Sequence, residues 1–429
     1  VDPDATGLLR AISRPLLVAV IVNAIIGAGI LGLPGRAFAV AGTWSLLAWV
    51  LCAILIGAVA LCFAEVGSRF TQTGGPYLYA HVAFGPAIGF LVGWVTWVTR
   101  PLTIAAIGNL LVGYASALWP AAGSGAPRIV VITAFIAVLT AVLVAGIRET
   151  ALVSTAFTAG KLAVLGVFIV AGLPAMAWDQ VAFEAAPDPG AIASAVLLLV
   201  FAFGGFETGA VVTGEIGNPR RDLPTGMIAA LGIVAALYIL VQLVAIGTAS
   251  NLVTSERPLA DAATVFLGPI VGRTFALVAL MLLLGTMLTT LLLGTRMLYA
   301  LGEQGQLPAF FARVHGRTRT PIGSILVTCG VAYLATLFST FAGALVIATS
   351  TRIVTYLVTC LALPVLRRRR DVAPPLFELR AGIPIAVGCA TVLAFLLFQS
   401  SWTELATLVG VSAAGLLPWW LARTGEQRE

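Results

Sequence analysis

Ile26-Gly27-Ala28-Gly29-Ile30 and Phe203-Gly204-Gly205-Phe206 each sit in the middle of a long apolar run. Glycine in a helix interior is disfavoured by about 1 kcal/mol relative to alanine, and in lipid a loosened backbone finds no water to bond. Paired glycines at that depth mark helices interrupted midway; the competing reading is close helix packing, which many of the 45 glycines must serve. Outward from these stretches, apolar runs divided by Gly, Pro or charge place spans near residues 15–41, 43–68, 86–119, 128–147, 151–174, 191–215, 224–249, 270–300, 322–342, 343–366, 382–400 and 402–422. The interrupted helices are the first and the sixth. A repeat of five spans inverts its second copy, so interruptions at matching places are the signature of an inverted-repeat transporter. The expected fold is therefore an all-α membrane protein of about twelve transmembrane helices. Residues 15–174 form one five-helix unit, 191–366 a second, inverted unit, and 382–422 two additional helices, all within a single transmembrane domain.

Composition agrees. Hydrophobic residues make up 60% of the 429 and charged residues 10%, and the mean hydropathy is +1.04. A hydrocarbon core of roughly 30 Å needs about 20 apolar residues per helix, so a dozen spans leave little for a soluble domain. The five cysteines fall in apolar stretches without a CxxC pair, and the only histidines, His81 and His315, lie far from any carboxylate cluster. Neither a disulfide framework nor a metal site is expected, and no cofactor is implied. The net charge of +6 is spread over short loops and forms no single face, which argues against nucleic acid. With the amino terminus cytoplasmic, sixteen loop arginines fall inside, including Arg367 to Arg370, and only Arg36, Arg128, Arg257 and Arg273 fall outside. The positive-inside rule then places both termini in the cytoplasm of a cell whose inner membrane holds the chain. The acids Asp179, Glu184 and Asp188 on an outer loop fit that orientation. The first apolar run lacks a cleavage-type ending and is expected to persist as a span.

Gly27-Ala28-Gly29-Ile30-Leu31-Gly32-Leu33-Pro34 resembles the first-span signature of the amino acid–polyamine–organocation permeases. Phe203-Gly204-Gly205-Phe206-Glu207, Gly214-Glu215 and Asn218-Pro219-Arg220-Arg221-Asp222-Leu223-Pro224 resemble that superfamily's sixth span and following loop. Arg296-Met297-Leu298-Tyr299-Ala300, through Leu307-Pro308 to Thr320-Pro321, resembles its eighth span and loop. The resemblance implies a LeuT-type fold with a substrate site formed by Ile26, Gly27, Ala28, Gly29 and Ile30 together with Phe201, Ala202, Phe203, Gly204, Gly205 and Glu207. It implies that the amides of Gly27, Ala28 and Gly29 hold a substrate carboxylate and that carbonyls around Phe201, Ala202 and Gly204 receive the α-amine. Phe201 stands where an aromatic gate is found in such permeases; its alternative is a core or lipid-facing aromatic. On this reading Gly29→Val excludes substrate from a protein that still folds.

Lys161 is the sole lysine and lies in the apolar fifth span. Eleven residues from about Thr150 at 1.5 Å each is roughly 16 Å, close to mid-bilayer. A buried ammonium can release its proton near neutral pH and a guanidinium cannot, which makes Lys161 the candidate for coupling. By resemblance, a lysine here puts its ammonium where sodium-coupled relatives bind the cation; the alternatives are a structural ion pair or a snorkelling side chain. Arg100, Glu207 and Arg352 are also expected at mid-membrane depth, with Glu207 bridging to Arg100 or Arg352. Arg296 is expected to join an inner gate with Glu65 or Glu215.

The chain is thus expected to be a permease for amino acids, proton-coupled and sodium-independent, working by alternating access, with substrate, proton and lipid bilayer as its partners and no required protein partner. Obligate amino acid exchange and polyamine or amine transport are the alternatives. The excess of bases over acids at mid-membrane disfavours cationic substrates. There is no GxxxxGK[ST] for ATP, and the spans bring no His, Cys or paired carboxylates together for enzyme chemistry.

Overall fold

The computed structural model describes residues 13–426 apart from 71–74, 146, 184, 212–215, 250, 317 and 319. The basic residues Arg10, Arg317, Arg319 and Arg428, and Glu184, Gly214 and Glu215, therefore lie outside the described residues. In chain order the helices are α1 (Arg14–Ile25), α2 (Ala28–Ala41), α3 (Ser45–Gly67), α4 (Pro76–Phe84), α5 (Pro86–Ser116), α6 (Gly125–Ala145), α7 (Ile147–Gly172) and α8 (Pro189–Val200). They continue as α9 (Thr208–Val211), α10 (Pro219–Thr248), α11 (Pro258–Glu303), α12 (Ile322–Phe338), α13 (Phe341–Arg368), α14 (Gly382–Phe398) and α15 (Trp402–Glu426).

Both interruptions are present. α1 ends at Ile25, Ile26 is extended, and Gly27 at φ −150° and ψ −145° is the N-cap of α2, so the chain resumes helix after a two-residue break. The second break is longer than its glycines suggest. Residues 201–207 form tight turns, with the Gly204 amide donating to the Phe201 carbonyl and the Thr208 amide to the Gly205 carbonyl. Gly205 has φ +116°, a region that only glycine enters at low cost.

Among the described residues, six helical stretches are long and apolar enough to cross a membrane by length and composition, or seven if α14 and α15, bent by 113° at their junction, count as one. α1 and α8 have 12 residues each and fall short singly, because the breaks divide them. The outward faces carry apolar side chains such as Ile54, Val138, Val170 and Leu334, more than half exposed, which suits lipid as the solvent. This is a membrane protein.

One helix, α4, and the early start and bend of another, α11, were not anticipated. α4 lies ahead of Gly85, whose φ of +92° turns the chain into α5. α11 begins twelve residues before the expected span at 270, and it bends at Gly268, where φ is +83°, just ahead of Pro269. Continuous apolar sequence hides such a bend. The division near Phe341 is a clean stop: Ser339 and Thr340 are extended, and the Thr340 hydroxyl accepts from the Gly343 amide at 3.1 Å to start α13.

α5 runs through the middle, packed against α13, α11 and α12, while α10 lies against α1 and α3. An aromatic cluster of Trp49, Phe203 and Tyr238 fills the space between α3, the second break and α10, with ring centroids 5.2 to 5.8 Å apart. On the other side of the break, Phe206 and Tyr356 meet Phe63 edge-on.

Candidate functional site

The two breaks meet. A Cβ on Gly29 would lie 2.5 Å from the Ala202 Cα, so the absence of a side chain is what lets α2 touch the second break. The space a side chain at Gly29 would need is taken by Ala202, while the residue also borders the cavity described below. Gly29→Val is accordingly expected to lose thermal stability together with transport, at a cost of about 1–3 kcal/mol for overpacking. Melting of the purified variant checks this, and an unshifted midpoint would restore the original reading.

Beside this contact lies a cavity of about 60 Å³, bounded by Gly27, Ala28 and Gly29 from the first break and by Phe201, Gly204 and Gly205 from the second. Ala28 and Gly29 open a helix whose N-cap has no side chain, and no hydrogen bond to their amides is present among the described residues. Such a helix end attracts an anion through its free N–H groups and its dipole. Ile26 and Ile30 do not border this cavity; they face a separate apolar crevice of about 10 Å³ shared with Lys161. Ala202 and Phe203 border neither: Ala202 packs on Gly29, and Phe203 is wholly buried against Trp49 and Tyr238.

Arg100, Lys161 and Arg352 converge on the same cavity from α5, α7 and α13. Arg352 Nη1 donates to the Phe201 carbonyl at 3.0 Å, and its guanidinium lies 5.5 Å from the centre of the Phe201 ring. Gly204 makes that position possible, because a Cβ there would overlap the guanidinium. Lys161 Nζ donates to the carbonyl and to the side-chain oxygen of Asn23, at 3.3 and 3.2 Å, just before the first break. It ties the α7 helix to α1 without a carboxylate partner among the described residues.

Glu207 pairs with Arg100, Oε1 to Nη2 at 3.6 Å, as one of the two expected bridges. Its other oxygen accepts from the Gly205 amide at 2.8 Å and from the Tyr356 hydroxyl at 3.2 Å. Glu207 faces a second, larger cavity of about 390 Å³, which begins at Arg100 and Arg352 and runs past Arg296 to Tyr77 and Gln304. Arg296 has no bond to Glu65, one of its two expected partners; the other, Glu215, lies outside the described residues. Both oxygens of Glu65 are held by Arg367 at 2.7 Å, one also accepts from the Leu379 amide, and Arg69 approaches at 3.7 Å. That bidentate pairing leaves Glu65 no geometry for Arg296.

The carbonyls expected to take an α-amine are partly engaged: Phe201 by Arg352, and Ala202 by the Tyr238 hydroxyl at 3.4 Å. Hydroxyls missed in the sequence offer acceptors instead. Thr286, Thr289 and Thr290 border the small cavity from α11, and Thr103 borders it from α5. Their spacing of three and four residues on one helical face was the available signal.

The family model for "Amino acid permease" matches residues 12–415. The serine/threonine exchanger SteT of Bacillus subtilis is 32% identical over 349 residues, covering 78% of each chain. The methylthioribose transporter of the same organism is 27% identical, covering 75% of this chain and 73% of its own length. A putative arginine/ornithine antiporter, also of Bacillus subtilis, is 28% identical over 73% of this chain and 74% of its own. With the match running through both helix breaks and most of the chain, this protein belongs to the amino acid permease family.

Proposed function

We propose that the chain carries amino acids across the cytoplasmic membrane by alternating access, binding them where the two helix breaks face one cavity. The observation that carries this reading is that cavity: the α2 N-terminus supplies amides for a carboxylate, and Thr286, Thr289 and Thr290 supply oxygens for an ammonium. A zwitterion matches both. We read the twelve segments as spans in two inverted five-helix units, with α14 and α15 outside the repeat and both termini cytoplasmic; the spacing of the breaks and the arginine distribution support this. In that orientation the larger cavity lies on the cytoplasmic side of Arg100 and Arg352, as suits an inward-facing state. Substrate and proton are the partners in this reading, with Lys161 as the coupling residue and sodium not required. Exchange is the second reading, favoured by the exchanger and antiporter named among the relatives.

The test is binding and counterflow in proteoliposomes across the twenty amino acids, followed by the α-amide of whichever binds best. Loss of the α-carboxylate is expected to weaken binding on the order of tenfold to a hundredfold, the worth of a charge-assisted hydrogen bond or two. Equal binding of acid and α-amide would refute carboxylate capture at α2. Uptake that requires internal substrate would assign exchange.

A further inference from the structure

The small cavity is bordered by Arg100, Lys161 and Arg352 and, among the described residues, by no carboxylate. Glu207, the one acid of the cluster, faces the larger cavity and stands 3.6 Å from Arg100, beyond ordinary hydrogen-bonding distance. Its hydrogen bonds come from Gly205 and Tyr356 instead. Among the described residues, one acid against three bases leaves two positive charges uncompensated in this cluster.

Arg352 is the least satisfied of the three. It is 6% exposed, its Nη1 has the Phe201 carbonyl as acceptor, and its Nε is buried with no hydrogen-bond partner. A guanidinium offers five N–H donors in one plane, a geometry that matches a carboxylate, and Arg352 uses one of them on the protein. Among the described residues Lys161 has only the neutral oxygens of Asn23. Charges held this deep in a membrane are costly unless something pairs with them.

Substrate charge decides whether binding relieves that cost. A neutral zwitterion brings one negative and one positive group, so the excess stays. A cationic side chain adds to it. A side-chain carboxylate removes one unit of it, and Arg100 and Arg352 border both cavities, so a side chain leaving the helix breaks toward the larger space passes them first.

Resting on the amino acid reading above, we propose that this protein selects amino acids with an anionic side chain, and that Arg352 with Arg100 forms the subsite for that second carboxylate where the two cavities meet.

The experiment measures equilibrium binding and ligand-induced thermal stabilisation of the full chain in nanodiscs at neutral pH, with L-glutamate, L-aspartate, L-glutamine, L-asparagine, L-serine and L-arginine. An acidic amino acid is expected to bind on the order of tenfold to a hundredfold more tightly than its side-chain amide. Arg352→Gln is expected to bring acid and amide to equal affinity; if that variant does not fold, Arg100→Gln and the wild-type ligand series give the same discrimination. Preference for serine, an amide or arginine over both acids overturns the selectivity and leaves the amino acid reading standing. Failure of every amino acid to bind overturns both.

Discussion

Lys161→Ala is expected to abolish accumulation of substrate driven by an imposed proton gradient, with the internal concentration rising no higher than the external one. Among the described residues the ammonium bonds only to Asn23 oxygens on α1, just ahead of the first break, and it borders the cavity between the breaks. A proton gained or lost there changes the attraction between α7 and the first broken helix, which is the contact an alternating-access cycle must remake. Lysine can cycle its proton and arginine cannot, so Lys161→Arg is expected to keep the charge without restoring accumulation. Equilibrium binding should survive in both variants, because neither removes the α2 amides. The measurement is uptake into proteoliposomes with a pH gradient and then with a sodium gradient. Undiminished proton-driven accumulation by Lys161→Ala, or sodium-driven uptake by the wild type, would remove the lysine from coupling. Wild-type indifference to both gradients with retained counterflow would make it a fixed tie between α7 and α1.

The adjacent glycines of the second break should fail in opposite ways. Gly204→Ala places a methyl in the space of the Arg352 guanidinium, which terminates a flexible side chain. The arginine can swing away, so the protein is expected to fold while substrate binding falls on the order of tenfold to a hundredfold with the loss of an ordered guanidinium. Gly205→Ala meets the Ala24 carbonyl instead, and φ at Gly205 is +116°. Backbone against backbone has no rotamer to give, and the dihedral is itself unfavourable for alanine, so destabilisation of about 3 kcal/mol or more is expected. Size-exclusion profiles and melting midpoints of the two variants, set beside binding, separate these outcomes. A folded, transport-competent Gly204→Ala would show that Arg352 does not need its present place.

The helix breaks were legible because glycine pairs at mid-membrane depth conflict with helix propensity, and that conflict is local. Likewise Arg100, Lys161, Glu207 and Arg352 stood out because charge is rare in apolar runs. Their pairing was less accessible. Arg352 reaches the carbonyl of Phe201 across 151 positions, and helix rotation about its own axis, which periodicity alone leaves open, decides whether such a reach exists. The same ignorance of rotation left Glu65 among the two partners expected for Arg296, although Arg367 occupies it. The packing contact of Gly29 was not legible because a small residue has the same sequence signal whether a ligand or a neighbouring helix fills its space. α4 and the bend at Gly268 escaped because apolar length, not backbone dihedral, defined the spans. The threonines of α11 escaped because hydroxyls satisfied by their own helix do not interrupt an apolar run.

The Tyr238 hydroxyl lies 3.1 Å from the carbonyl of Ile25, at the end of α1, and 3.4 Å from that of Ala202, in the second break. A phenol has one proton, so the two acceptors compete for a single donor. Only one of the two carbonyls can hold that proton in a straight bond at a time, at the joint between the two broken helices. Here two demands cannot be met together, a small built-in frustration where the halves touch. A joint that is never fully contented in one arrangement surrenders less on moving to another, and the tyrosine can follow either partner as they part.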